Sequence, residues 1–338
     1  MRALPLFILT VIGALISPVL AAPRQDVSLN GEWQVQKVAD LAYPPPAEWK
    51  TLAVPGYLHG HNYERAWLRR EFQAPAAMQG ARVEIAFGGV KWNSVVYLNG
   101  EKVGGHFGGY EAFTVDVTRQ VRFDRPNELL VGVHDWTGVF TDRETTFDNP
   151  KMVQARDVPR DKILAPIGGH TTAYGIWDDV TLRSHPEVFI RDAFIQPSVR
   201  RGELVVKATL ANATGAVKRV GISGSVRDGD KEALNLPWQA VTVPAGGEAA
   251  VTLRASWAKP RLWSHEDPYL YTLVLGTTGV FQSIGAVPII GSLFGNLDDE
   301  TRIRFGFREF WIQGPDFYLN GSKTHLLATS WWPPGGQP

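Results

Sequence analysis

The feature that most restricts the fold is a rhythm of short apolar or alternating runs broken by turn residues, running from Asp26 almost to residue 298. Residues 82–87 (RVEIAF), 94–98 (SVVYL) and 129–134 (LLVGVH) each have strand length and aliphatic or aromatic content. Asn99-Gly100 follows the second run, and both residues tolerate the positive φ that a two-residue hairpin turn requires. Almost no window of about 11 residues carries a helical period with caps at its ends. Strands with one apolar face must stack as sheets, so an all-β sandwich architecture is expected through about residue 298.

The 338 residues suit about two domains. A first module over 26–185 is followed by a second over 186–298. In the second, runs at 188–190, 204–210, 221–226, 241–243, 250–253 and 271–275 recur with the spacing of an immunoglobulin-like β-sandwich of about 100 residues. Asp228-Gly-Asp230 lacks the further oxygen ligands of a calcium loop and reads as a hairpin turn. Asn212-Ala-Thr214 is formally a glycosylation sequon. The apolar stretch 280–296 (VFQSIGAVPIIGSLFGN) has two readings, a buried irregular segment or a partner-binding patch.

Lys and Arg total 34, as do Asp and Glu, so the formal charge is zero and the basic footprint of nucleic-acid binding is missing. There is no cysteine, which excludes disulfides, thiolate metal sites and thiol nucleophiles. Met1-Arg2, the apolar run 3–19 and Leu20-Ala21 have the layout of a secretory signal peptide over 1–21, cleaved near Ala21/Ala22. The mature chain is therefore expected to be secreted or periplasmic. No later stretch has membrane-spanning length.

Several motifs occur in a particular order. Ser28-Leu-Asn-Gly-Glu-Trp33, Val54-Pro-Gly56 and Trp67-Leu-Arg-Arg-Glu-Phe72 come first. Gly88-Gly-Val, Val96-Tyr-Leu-Asn-Gly-Glu-Lys-Val-Gly104, His106-Phe-Gly-Gly-Tyr110 and Gly175-Ile-Trp177 follow. Leu262-Trp-Ser264, Phe305-Gly-Phe-Arg308 and Phe317-Tyr-Leu-Asn-Gly321 close the series. This ordered set resembles glycoside hydrolase family 2, the β-galactosidase, β-glucuronidase and β-mannosidase group, along nearly the whole mature chain. The resemblance implies a jelly-roll sugar-binding domain, an immunoglobulin-like domain, and then a (β/α)8 barrel that carries the catalysis. Residues 299–338 would begin that barrel, with a first strand near 325–330.

Such barrels take about 250 residues. The chain therefore reads as the amino-terminal portion of a retaining, exo-acting hydrolase of β-linked sugars, itself inactive. A retaining glycosidase needs two carboxyl groups about 5 to 5.5 Å apart. The family's acid/base follows an Asn, yet the Asn-Glu pair here, Asn127-Glu128, precedes a strand of the first module and reads as a turn. No catalytic residue is assigned in this chain; the resemblance implies that the acid/base and nucleophile glutamates lie beyond Pro338. A non-catalytic carbohydrate-binding or adhesion protein is the alternative.

The resemblance makes Asn62, His106, Tyr110, Asp135 and Trp136 candidates for lining a sugar pocket. Trp331-Trp332 could form an aromatic wall or pack across a domain seam. Asn99, Gly100, Gly104, Gly175, Trp177, Trp263 and Arg308 read as structural motif residues. Gly104, Gly108 and Gly109 are expected to allow sharp turns, and Arg308 to pair with a carboxylate at the seam before the barrel. His106 and His134 are metal ligands in type but lack ligand spacing, so neither a metal nor a cofactor is assigned. The expected partner is a carbohydrate.

Overall fold

The computed structural model describes residues 24–46, 48–59, 65–91, 93–134, 139–140, 152–153, 173–279 and 297–327. The described residues are dominated by antiparallel strands. A six-stranded sheet runs in the order Lys50–Val54, Gly31–Val38, Arg65–Phe72, Asn127–His134, Asn93–Leu98 and Glu101–Phe107. A four-stranded sheet contains Gln25–Ser28, Val180–His185, Arg82–Phe87 and Phe113–Asp116. One core joins them: Trp33, Leu68, Val96, Leu129 and Val131 from the first sheet meet Ile85, Phe87, Val115 and Leu182 from the second. The two-residue period sends alternate side chains outward, where Trp67, Val95 and Leu130 form a smaller cluster.

A second sandwich follows, with Val188–Ser198, Glu203–Asn212 and Glu248–Ser256 in one sheet. Its other sheet orders Lys231–Val243, Lys218–Asp228, Tyr271–Gly279 and Asp299–Phe305. The expected end of this module at residue 298 is corrected by that last strand. Asp299–Phe305 pairs residue for residue with Tyr271–Thr277, and Phe305 and Phe307 are buried in the second core. A separate three-stranded sheet, Phe310–Gln313, Asp316–Leu319 and Ser322–Thr324, comes next. Residues 325–327 carry no strand, and the rest of the chain, from Ala328 to Pro338, lies outside the described residues.

Turn chemistry follows the sequence closely. Asn99 and Gly100 have φ of 53° and 91°, the hairpin turn joining Asn93–Leu98 to Glu101–Phe107. Asn320 and Gly321 repeat it at 53° and 93°. Asp228-Gly-Asp230 is a hairpin turn between two paired strands. The sequon asparagine has a structural use: buried Asn212 donates to the carbonyls of Ala216, Val243 and Pro244 and accepts from Thr214. Gly104 is not a turn residue as expected. It sits within a strand, where a Cβ would fall 2.8 Å from Val115 Cγ1.

Two contacts tie the sandwiches together. The Arg24 guanidinium donates to both carboxylate oxygens of buried Asp299, at 2.8 and 2.9 Å, and to the Ile190 carbonyl at 2.7 Å. Asp299 also accepts from the Ile190 N–H. The His185 ring stacks on Phe189 at 4.0 Å, and its Nε2 lies 3.1 Å from the Glu84 carboxylate. Burial pushes the Glu84 pKa up, but His185 and Arg82 outweigh it and hold the carboxyl at about 2.

Candidate functional site

The site is organised by a small sheet in which Ala173–Ile176 pairs with Leu58–His59 on one side and Val90–Lys91 on the other. Gly175 makes this close approach possible. Its φ is +121°, and a Cβ there would lie 3.3 Å from the Gly56 carbonyl oxygen. Asn62, Asp135 and Trp136, in the stretches 60–64 and 135–138, lie outside the described residues. Trp331 and Trp332 do so too, as do residues 1–21, expected to be a leader, and the segment 280–296. Pro338, expected to mark the boundary before the catalytic glutamates, also falls outside them.

Lys91 is only 6% exposed, and its ammonium lies 4.4 Å from the Tyr110 ring centroid and 5.8 Å from that of Tyr57. A cation held against two aromatic faces gains the ring quadrupole attraction while losing water. Tyr110 is itself 48% exposed and meets Trp177 edge-on, with centroids 6.1 Å apart. The Trp177 indole N–H donates to the Gly109 carbonyl at 2.8 Å. Gly89 lets the indole in, since a Cβ there would sit 2.5 Å from the ring. Thus the Gly88-Gly-Val, Gly109-Tyr110 and Gly175-Ile-Trp177 motifs, far apart in sequence, converge on one patch.

His106 borders that patch from the same turn. Its ring stacks on Phe113 at 4.6 Å, and Phe113 in turn stacks on Phe87 at 4.8 Å. The His106 Nε2 is 3.6 Å from a Glu111 carboxylate oxygen, too long for a hydrogen bond. Glu111 is held below the usual carboxylate range by the backbone N–H groups of Glu111 and Tyr110. His134 is buried at the end of its strand, beside the 135–172 stretch. Burial, aided by the Arg65 charge, lowers its pKa to about 4, so it is neutral near pH 7.

The arrangement offers aromatic faces, a cation and a phenol at one sheet edge, groups that can stack on a ring and grip hydroxyl or carboxylate oxygens. Sequence reasoning singled out Tyr110 and His106 but missed Lys91 and Tyr57. The available signal for Lys91 was a lysine closing the Gly88-Gly-Val run, a charge inside an otherwise apolar stretch. The Asn-Glu pair is structural. Asn127 is buried and bonds both ways with the Arg122 backbone, while Glu128 pairs with Arg69 at 2.6 Å. Among the described residues no group of three His, Asp or Glu side chains could hold a metal, and no helix is long and apolar enough to cross a membrane.

The other motif residues lie elsewhere. Asn99 donates to the Gln120 carbonyl and the Asn127 side chain, tying two turns together. The Trp263 carbonyl accepts from the Asn320 side chain at 2.8 Å, and its N–H donates to the Phe307 carbonyl at 3.0 Å. Arg308, expected to pair with a carboxylate at the seam before the barrel, rests on an aromatic ring. The guanidinium lies 4.3 Å from the Trp263 ring centroid, and no carboxylate among the described residues pairs with it.

Comparison with known proteins adds a second line of observation. The family model described as Glycosyl hydrolases family 2 matches residues 188–280. The chain is 25% identical over 299 residues to a beta-glucuronidase of Paenibacillus borealis, covering 87% of this chain and 45% of that protein. It is 25% identical over 284 residues to a beta-galactosidase of Bacteroides ovatus, covering 78% of this chain and 31% of that protein. A beta-glucuronidase structure from Bacteroides uniformis superposes with a TM-score of 0.63 at 22% identity, over 88% of this chain and 34% of that one. The chain thus spans less than half the length of these relatives.

Proposed function

We propose, for a chain with the sequence and fold of glycoside hydrolase family 2, that it forms the amino-terminal sandwiches of an exported hydrolase of O-glycosidic bonds. In this reading the first sandwich is a jelly-roll sugar-binding domain and the second is immunoglobulin-like. The parent enzyme is retaining and exo-acting on β-linked sugars, and its catalytic carboxylates lie beyond Pro338. Lys91, Tyr57 and Tyr110 form a wall of the sugar pocket, with Trp177 bracing it.

The observation that carries the proposal is the alignment to named glycosidases over 78% to 87% of the chain, with the Gly-Gly, Tyr110 and Trp177 motifs meeting at one edge. A sugar is suited to that edge because its axial C–H face stacks on aromatic rings while its oxygens need donors.

The test compares this chain with the product of its complete reading frame on p-nitrophenyl β-galactoside and β-glucuronide. Turnover by the longer product only is expected. Turnover by residues 1–338 alone, or a reading frame that stops after codon 338, overturns the proposal.

A further inference from the structure

A second aromatic site lies at the other end of the six-stranded sheet. Trp67, Tyr97 and Tyr43 form a column of rings from the interior to the surface. Trp67 is fully buried and meets Tyr97 edge-on at 5.7 Å, and Tyr43 lies parallel to Tyr97 with centroids 4.6 Å apart and planes 4° from parallel. Tyr43 is 42% exposed, so the face turned away from Tyr97 is open to solvent. Its hydroxyl end is seated over Gly100, where a Cβ would come within 3.2 Å. The ring is therefore held in place before any ligand arrives, which removes an ordering cost from binding.

Polar groups surround this ring. Tyr43 lines an open cleft of about 560 Å³ with Glu71, Asn99, Arg122 and Glu128. Glu71 and Glu128 both pair with Arg69, one cation shared by two carboxylates, so the cleft is balanced only when the Arg122 charge is counted. The Arg122 side chain has no partner among the described residues, while its backbone is fixed by two hydrogen bonds with Asn127. A rigid open ring face, with a cation, carboxylates and a phenol around it, suits a neutral ring molecule with one C–H face and a rim of hydroxyls.

From this geometry we infer that Tyr43 is the platform of a surface site for a neutral gluco- or galacto-configured oligosaccharide. The site is distinct from the Lys91 edge. Lys91 adjoins the start of strand Asn93–Leu98 and the Asn99 turn is at its end, so about 20 Å of strand separates them at about 3.3 Å per residue. Each pyranose covers one ring, so the site binds a chain weakly. Its effect is to hold a polymer near the rest of the protein and raise the local concentration of chain ends.

Calorimetric titration of the 338-residue chain with cellopentaose and with β-1,4-galactopentaose tests the inference. At least one sugar should bind. Tyr43→Ala should weaken that binding about tenfold or more, Tyr43→Trp should preserve or strengthen it, and Arg122→Ala should weaken it severalfold. Arg122→Ala and Tyr43→Trp keep the platform, so they report on the site even if Tyr43→Ala loosens the fold. Binding of neither sugar overturns the inference. So does wild-type affinity in Tyr43→Ala, or binding lost through Tyr110→Ala and not through Tyr43→Ala. None of these results depends on whether the parent enzyme hydrolyses a glycoside.

Discussion

Replacing Arg24 by Met should be one of the most damaging single changes near the amino terminus, although it lies outside both cores. The Asp299 side chain is 0% exposed and that of Arg24 is 17% exposed. Removing the guanidinium deletes two charge-assisted hydrogen bonds and leaves a buried carboxylate with one backbone donor, the Ile190 N–H. Breaking a buried ion pair from one side costs about 3 to 5 kcal/mol. The residual exposure of Arg24 and the surviving N–H place this case near 3. For a unit of roughly 100 residues each kcal/mol moves the melting point by about 4 °C or more, so Arg24→Met should lower the second sandwich's transition by about 12 °C. Scanning calorimetry reads this directly, since two sandwiches need not melt as one. Asp299→Asn added to Arg24→Met removes the stranded charge and should restore part of the loss. Arg261→Ala, which breaks the exposed pair with Asp267, should leave the transition almost unmoved by comparison. A shift below 2 °C in Arg24→Met, or no difference between the single and double variants, would refute the reasoning.

The pH response should have two limbs. His134 has a folded pKa of about 4, below its usual 6.5, so the unfolded chain binds more protons between those values and stability falls as pH drops through that window. Urea unfolding of His134→Phe should lack this limb. Glu84 is held at about 2, below its usual 4.5, so its contribution is intact above pH 4.5 and disappears as pH falls towards 2; Glu84→Gln should shrink this acid limb, leaving the part owed to Asp26, Glu111 and Glu309, whose carboxyls are also held low. Gly89→Ala should push the Trp177 ring aside, cost about 1 to 3 kcal/mol, and shift indole emission; an unchanged melting point and spectrum would mean that the close packing is not a constraint.

Much of the fold could be read locally because its signals are local. Alternation at 82–87 and 94–98, and Asn-Gly at 99–100, each determine something within a few residues, and the structure follows them. The Lys91 edge could not be read in this way. Its strands Leu58–His59 and Val90–Lys91 are two residues long, too short to show a period, and they meet through a third segment, Ala173–Ile176. Arg308 shows a different limit. Sequence supplies a charge and invites a carboxylate, but among the described residues the group against its guanidinium is an indole face contributed by Trp263. The placement of Asp299–Phe305 shows a third. Its alternation marks a strand, yet only pairing with Tyr271–Gly279 decides which sheet owns it, and pairing across a long connection leaves no trace in either segment.

Arg24 and Asp299 are 275 positions apart, and neither residue type is unusual where it stands. Their pairing is nonetheless a link through which the residue just before the first strand holds the start of the second sandwich's last strand. The joint between the modules escaped the sequence for a related reason, because it consists of single long-range contacts rather than repeated patterns. In the proposed hydrolase these contacts would set the orientation of the Lys91 edge. Arg24→Met should then raise KM for the p-nitrophenyl glycoside that the longer product turns over, without touching the proposed pocket, and an unchanged KM would refute this.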